Sequence, residues 1–307
     1  MLPAPKFHHL HLKSRDPAAA AAWYARRFPC TAPTEWGGHT ALRSDNDVLI
    51  LFDRTDAPPV SLPQSAIWHF GWHVTDSRRT VEAWRREGEV ELVPLYTEET
   101  GGGVAISSDT WPSVGNTLGL TKAQIAEAKA NRVEPTRVGG FAYMRGPDGA
   151  LFEIAGNHPQ ERFNHVHMWQ DDPFCALLWY QKHLNAPLRP GWEGTTLSEA
   201  NCRVPRHPER TWPALDRAGM FRTPRAGVEF GDVSVMWYAS QGERPLASSL
   251  GQLQDHFALA VGDLDAWLDK LNGEGVNLLA GPYALGDTRA AMIEGPSREA
   301  IELVEAD

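Results

Sequence analysis

One unit is written four times in this chain, and that repeat restricts the fold more than any other feature. Phe7–Asp16 (FHHLHLKSRD), Ile67–Asp76 (IWHFGWHVTD), Phe163–Asp172 (FNHVHMWQDD) and Gln254–Asp263 (QDHFALAVGD) share a register. In each, a His precedes an Asp by seven residues: His9/Asp16, His69/Asp76, His165/Asp172 and His256/Asp263. The opening run alternates as a strand does, and the Asp suits a helix N-cap. Pro17 and Pro173 follow their Asp at the first helical position, where a missing N–H costs nothing. The pattern predicts helices to about Phe28, Gly88, Leu184 and Gly273. Tyr24, Trp84 and Tyr180 fall fifteen residues after their His, with Leu271 in the fourth copy, and they read as core. Short strands close each unit, the second and fourth through the turns Gly146-Pro147-Asp148-Gly149 and Gly295-Pro296-Ser297.

Two stretches fall outside the repeat. Residues 97–138 are first Gly-, Ser- and Thr-rich; a capping pair at Thr121 and Gln124 predicts a short helix there. The run 203–225 is rich in Pro and Arg and reads as a long loop. With 307 residues, two domains are expected, 1–160 and 161–307, the first carrying the insertion 97–138.

Charge narrows the partners. The formal net charge of −10 argues against a nucleic-acid backbone binder and against a polybasic membrane-surface protein. No run of about 18 apolar residues is present, so no membrane partner is expected. The start of the chain lacks the apolar core of a signal peptide, though a leader removed beforehand would leave no trace. Cys30, Cys175 and Cys202 are scattered and odd in number, so neither a disulfide framework nor a Cys-x-x-Cys metal site is expected, and the cytoplasm is the default compartment. Twelve tryptophans are high usage for this length, and Trp36, Trp68, Trp72 and Trp111 are candidate walls of a ligand site.

The repeated histidines carry the chemistry. On a strand, His9 and His11 share a face, as do His165 and His167. Glu153 and Glu302 each lie six residues past their turn proline among apolar neighbours, where an unpaired carboxylate would be costly. A metal satisfies both residue types. Taken by halves, the sets are His9, His69 and Glu153, then His165, His256 and Glu302. Two histidines and one carboxylate with open positions is the pattern of non-haem Fe(II) chemistry. Fe2+ is therefore expected first, with Mn2+, Zn2+, Ni2+ or Co2+ as alternatives. His8, His39, His73 and His158 receive no role. P-loop, dinucleotide-fingerprint and G-x-S-x-G arrangements are absent.

Strand–helix–three-strand units with a His in the first strand and a Glu in the last resemble the vicinal oxygen chelate superfamily, which includes glyoxalases, epimerases, fosfomycin- and bleomycin-resistance proteins and extradiol dioxygenases. The carriers are the four openings above and the endings Gly146–Glu153 and Gly295–Glu302. The resemblance implies an α+β fold of four βαβββ modules paired into two half-open eight-stranded barrels, each able to hold a metal. Four modules in one chain resemble the extradiol dioxygenases, in which the second barrel usually carries iron. Tyr143 stands where those enzymes place an active-site Tyr, whereas the second half has Met292. The His expected shortly before that Tyr is missing. Tyr143 and the insertion tilt the expectation towards the first barrel. The expected function is a metal-dependent enzyme of the glyoxalase or dioxygenase type on a small, oxygen-chelating, aromatic-compatible substrate. Alternatives are a redox-neutral isomerase, lyase or epimerase, and a non-catalytic small-molecule binder. A homodimer is compatible with this reading.

Overall fold

The computed structural model describes the whole chain except residues 1, 94–95, 98–102, 105–116, 119–126, 128–129, 133–139, 191–195, 205–213, 217–218, 222–223, 241–244 and 307. Unit 1 consists of β1 (Lys6–Ser14), α1 (Pro17–Arg27), β2 (Thr31–Trp36), β3 (His39–Ser44) and β4 (Leu49–Arg54). Unit 2 has β5 (Ile67–His73), α2 (Ser77–Glu87) and β6 (Glu91–Val93). The short strands β7 (Tyr96–Thr97), β8 (Gly103–Val104) and β9 (Thr117–Leu118) precede its closing pair, β10 (Phe141–Arg145) and β11 (Leu151–Ala155). Unit 3 has β12 (Arg162–Gln170), α3 (Pro173–Leu184), β13 (Ala214–Asp216), β14 (Gly219–Phe221), β15 (Arg225–Phe230) and β16 (Val233–Ala239). Unit 4 has β17 (Gln254–Val261), α4 (Leu264–Gly273), β18 (Leu278–Leu285), β19 (Thr288–Glu294) and β20 (Ala300–Glu305). All four expected strand–helix openings are present, and each repeated His lies on the first strand of its unit.

Local chemistry sets the helix limits. Asp16, Asp76 and Asp263 accept from the backbone N–H groups of Ala19, Arg79 and Ala266, satisfying donors the helix cannot. Asp172 holds the same position but makes no cap bond; its carboxylate accepts from the Val204 N–H at 3.0 Å instead. Gly88 ends α2 at φ 72°, a left-handed residue that glycine adopts without a Cβ penalty.

The strands assemble into two large sheets. Sheet one runs β18-β19-β20-β17-β1-β4-β3-β2, and sheet two β15-β16-β12-β5-β11-β10-β6. Sheet one thus joins unit 1 to unit 4, and sheet two joins unit 2 to unit 3. This corrects the expectation that each sheet would come from one half of the chain. Sheet one has eight strands; sheet two has seven described strands, extended beyond β15 by a bridge between Leu188 and Val228. Among the described residues neither sheet closes on itself, so the barrels are half-open.

In the two large sheets, units 1 and 2, like units 3 and 4, meet through the core rather than by strand pairing. Tyr24 and Phe28 of unit 1 pack on Trp72 of unit 2, with ring centroids 5.5 and 3.9 Å apart. One continuous apolar cluster includes residues of all four units, among them Tyr24, Trp84, Tyr180 and Leu271 as expected. Polar ties act in the same sense. Ser14 donates to Asp148 of the unit 2 turn at 2.6 Å. Glu299 of the unit 4 turn, fully buried, accepts from Tyr180 and Gln170 of unit 3, both at 2.8 Å.

Two further readings are corrected. The run 203–225 is more than a loop: β13 and β14 pair as a hairpin, and β14 pairs with β9 of the insertion, joining both non-repeat segments in one small sheet. Cys175 on α3 and Cys202 are disulfide-bonded, while Cys30 is free and buried. The expected helix after Thr121, Trp111 and most of the glycine-rich segment lie outside the described residues. Among the described residues, no helix is long and apolar enough to cross a membrane.

Candidate metal centres

The crosswise sheets regroup the histidines. In sheet two, β5 and β12 run antiparallel with His167 opposite His69 and His165 opposite Gly71. β11 runs parallel to β5 and sets Glu153 opposite the same glycine. Ligand atoms of His69, Glu153, His165 and His167 lie within 4.8 Å of one another, and all four residues are buried. Glu153 Oε2 is 2.9 Å from His69 Nε2, and 3.7 Å from both His165 Nε2 and His167 Nδ1.

Sheet one repeats this register. β1 and β17 are antiparallel with His11 opposite His256 and His9 opposite Ala258, and β20 sets Glu302 opposite that alanine. His9, His11 and His256 offer ring nitrogens within 4.8 Å of one another. Glu302 Oε2 is 3.2 Å from His9 Nε2 and 3.8 Å from His256 Nε2. In both ladders the register shifts on either side of the His-x-His stretch, bulges that re-aim side chains locally.

All six expected ligands therefore sit in two clusters, but in different company. His9 meets His256 and Glu302, and His69 meets His165 and Glu153. The expected trios His9–His69–Glu153 and His165–His256–Glu302 do not form, because strand pairing crosses the halves. Each cluster also gains a histidine absent from the expected sets, His11 or His167. The signal was present: both stand two residues past a repeated His, on the same strand face.

Small residues make room where the chains converge. A Cβ on Gly71 would lie 2.4 Å from His165 Cε1 and Nε2, well inside any real contact, so only glycine permits His165 to cross that strand.

Surrounding groups point the imidazoles inward. His165 Nδ1 lies 3.1 Å from Asn164 Oδ1, and His256 Nδ1 lies 2.6 Å from Asp255 Oδ1. His9 Nδ1 is 2.8 Å from His8 Nδ1. With each Nδ1 engaged, Nε2 is the nitrogen turned to the cluster, as in histidine metal sites whose ligand orientation is fixed from behind. The Nε2 atoms of His9, His165 and His256, and Glu302 Oε2, are buried without a hydrogen-bond partner among the described residues. Such atoms are costly unless a further partner is supplied. A cation bound at these converging lone pairs fits that demand, so the residues present suit a metal in both clusters.

Burial sets the protonation. Desolvation holds His69 far below the ordinary histidine range, and His9 likewise, helped by His8, His256, His11 and His39. His165 is pushed down by burial to about 3, against the opposing pull of Glu153. These rings are neutral near pH 7, the form that ligates metal.

An ionic network backs sheet one's cluster. Asp53 lies 3.2 Å from His11 Nε2, 2.7 Å from His39 Nδ1 and 2.8 Å from Lys13 Nζ. Burial would raise its carboxyl, but these partners outweigh burial and hold it well below the carboxylate range. His39 thus has a place that sequence alone left open, whereas His73 and His158 stack on each other at 3.3 Å away from both clusters.

Aromatic groups differ between the centres. Tyr143 pairs in register with Glu153, its ring 5.0 Å from that of His69. Trp68 lies 4.2 Å from His69. Met292 occupies the equivalent register opposite Glu302, as expected, but Tyr283 on neighbouring β18 donates to Glu302 Oε1 at 2.5 Å. Tyr143 therefore does not distinguish the centres as a phenol against none. Trp36 approaches His8 and His9 at 4.5 and 5.7 Å. Trp72 is core, fully buried.

Comparison with known proteins places this architecture. Residues 162–303 match the family model described as Glyoxalase/Bleomycin resistance protein/Dioxygenase superfamily. None of the curated proteins matches the chain significantly in sequence. Glyoxalase I from Zea mays superposes with a TM-score of 0.60 at 12% identity, covering 98% of this chain and 92% of that one. A protein of Bacillus subtilis subsp. subtilis str. 168 described as a candidate dioxygenase superposes with a TM-score of 0.57 at 11% identity, over 99% and 86% of the two chains. At these identities the likeness is one of fold.

Proposed function

We propose that this chain, whose residues 162–303 match the glyoxalase/bleomycin resistance/dioxygenase superfamily, is a metal-dependent enzyme acting on a small substrate with adjacent oxygen atoms. The observation that carries this reading is the convergence in sheet two of three buried histidines and one buried glutamate, echoed in sheet one by three buried histidines with Glu302 beside two of them, where several lone pairs lack a partner. His69, His165, His167 and Glu153 would hold one ion, and His9, His11, His256 and Glu302 the other. A bound divalent cation supplies Lewis acidity, stabilising negative charge that develops on a substrate oxygen.

The chain's own groups do the rest. Tyr143, beside His69, is the residue we assign to donate a hydrogen bond or proton to a substrate oxygen. Trp68 gives that centre an apolar wall that orients a flat substrate and excludes water. Tyr283 fixes the Glu302 carboxylate from behind, which leaves it a positioning role at the other centre. We place turnover at the Tyr143 centre, where the phenol and the Trp68 wall both lie against His69.

The fourth ligand bears on the reaction type. The expected preference for Fe2+ rested on a set of three; a third imidazole leaves fewer open positions for a substrate and dioxygen together. This favours the redox-neutral class, an isomerase or lyase, with Zn2+, Ni2+, Mn2+ or Co2+ as well as Fe2+ in the candidate range. Ring-cleaving dioxygenase is the second reading, supported by Tyr143 and the aromatic walls.

Elemental analysis of the full-length protein purified without added metal tests the premise, with about two ions per chain expected. Glu153→Gln and Glu302→Gln should each lose about one, and only Glu153→Gln should abolish turnover of vicinal dicarbonyl, hemithioacetal or catechol probes. Activity that survives rigorous exclusion of oxygen selects the redox-neutral class. Metal-free protein with both clusters intact would overturn the reading.

A further inference from the structure

A cavity of about 390 Å³ opens at the seam between the two sheets, and no metal-site His or Glu lines it. Its walls come from the starts of β5, β11 and β17, the end of β12 and the adjoining loops. The volume lies within the ~300–1,000 Å³ typical of small-molecule sites. One wall is aromatic: Trp68 and Trp169 stack with centroids 4.4 Å apart and planes inclined by 28°. Leu151 and Leu253 extend the apolar surface.

Two polar side chains meet this surface. Gln254 is only 7% exposed, and its Nε2 lies 3.5 Å from the Leu151 carbonyl. Its Oε1 is buried and has no hydrogen-bond partner among the described residues. A buried acceptor of this kind is normally satisfied, and here it belongs to a side chain lining an open cavity. At the rim stands Arg145, whose guanidinium makes only long contacts among the described residues, 3.4 Å to the Gly149 carbonyl and 3.5 Å to Glu91. Five N–H donors leave it capacity for an anion.

We propose that this cavity binds a planar aromatic acid bearing a ring N–H or O–H. The ring lies against the Trp68–Trp169 wall, the ring donor bonds Gln254 Oε1, and the acid group pairs with Arg145. A hydroxyl or N–H is required, because an isostere without it leaves Gln254 Oε1 unpaired. No ligand of either cluster lines the cavity, although Trp68 also walls the Tyr143 centre, so Glu153→Gln is the variant that separates binding here from binding at the ion.

The test is calorimetric titration of the full-length protein as isolated, with 4-hydroxybenzoate and indole-3-carboxylate as probes and 4-methoxybenzoate as the donor-free control. One molecule of probe per chain is expected, with the control about tenfold weaker, equivalent to ~1.4 kcal/mol. Gln254→Leu should remove the difference between 4-hydroxybenzoate and 4-methoxybenzoate. Arg145→Gln, a substitution at a half-exposed residue, should weaken both by about tenfold. Glu153→Gln should leave binding unchanged. Absence of saturable binding by either probe would overturn the proposal. So would binding that persists unaltered in Gln254→Leu and Arg145→Gln but is lost in Glu153→Gln, because that places the acid at the metal cluster.

Discussion

Gly71 shows how one residue sets a candidate metal centre without being one of its ligands. It lies between His165 on one neighbouring strand and Glu153 on the other. Gly71→Ala would drive a methyl to 2.4 Å from the His165 ring. We expect loss of the ion from sheet two's cluster, retention of the other, and a destabilisation of about 1–3 kcal/mol from overpacking. Metal content and urea unfolding measure both; two ions retained by the variant would refute the role. The buried histidines also predict the acid response. For His9, His69 and His165 the folded protein disfavours the proton that the unfolded chain accepts below its ordinary pKa near 6.5. Stability of metal-free protein is therefore level above that pH and falls as pH drops beneath it. Each such ring contributes up to about 1.4 kcal/mol per pH unit, and for His165 the fall ends near pH 3. Thermal melts from pH 7.5 to 5 should show a falling midpoint, and a flat profile would contradict neutral buried rings.

Four helices with the same Asp at the start are not equivalent elements. Asp16→Ala and Asp76→Ala each remove a bond to a helix N–H and should cost about 1 kcal/mol in urea unfolding. Asp172→Ala removes no cap bond; it cuts the tie to Val204, two residues past Cys202. We expect its larger effect there, read as faster proteolysis of the segment after Cys202 than in either of the other variants. A non-reducing peptide map should recover Cys175 linked to Cys202, with Cys30 as the free thiol. The sequence count of three cysteines gave no such pairing, because 27 residues of separation become a Cα distance of 4.8 Å only once α3 and the following loop have folded together.

At the scale of the molecule, the division at residue 160 cuts both sheets. Residues 1–160 hold β1 and β5 but lack their partners β17 and β12. We propose the two halves as domains in chain order whose metal centres form only jointly. Expressed separately, neither half should bind metal at two ligand sets or melt cooperatively; mixed from denaturant, they should regain both properties. Full metal binding by 1–160 alone would show that its own units can pair.

Much of this protein was legible in its sequence. The alternation before each Asp, the prolines at the first helical position and the turn-to-Glu spacing are local, and local sterics and hydrogen bonding fix them wherever the unit sits. The six repeated His and Glu residues were accordingly all found. Even His-x-His in units 1 and 3, facing His-x-Gly in unit 2 and His-x-Ala in unit 4, encodes a complementarity: a bulky ring crosses the strand where its partner has a small residue. That rule pairs an odd unit with an even one, yet it is satisfied equally by 1 with 2 and by 1 with 4. The choice between them rests on contacts far apart in the chain, such as Tyr24 and Phe28 packing on Trp72, which hold units 1 and 2 together through the core and leave their sheet edges for units 4 and 3. Tertiary structure alone therefore decided which histidines stand together, because strand pairing is a competition among distant segments for the same edge, and no residue records its outcome locally.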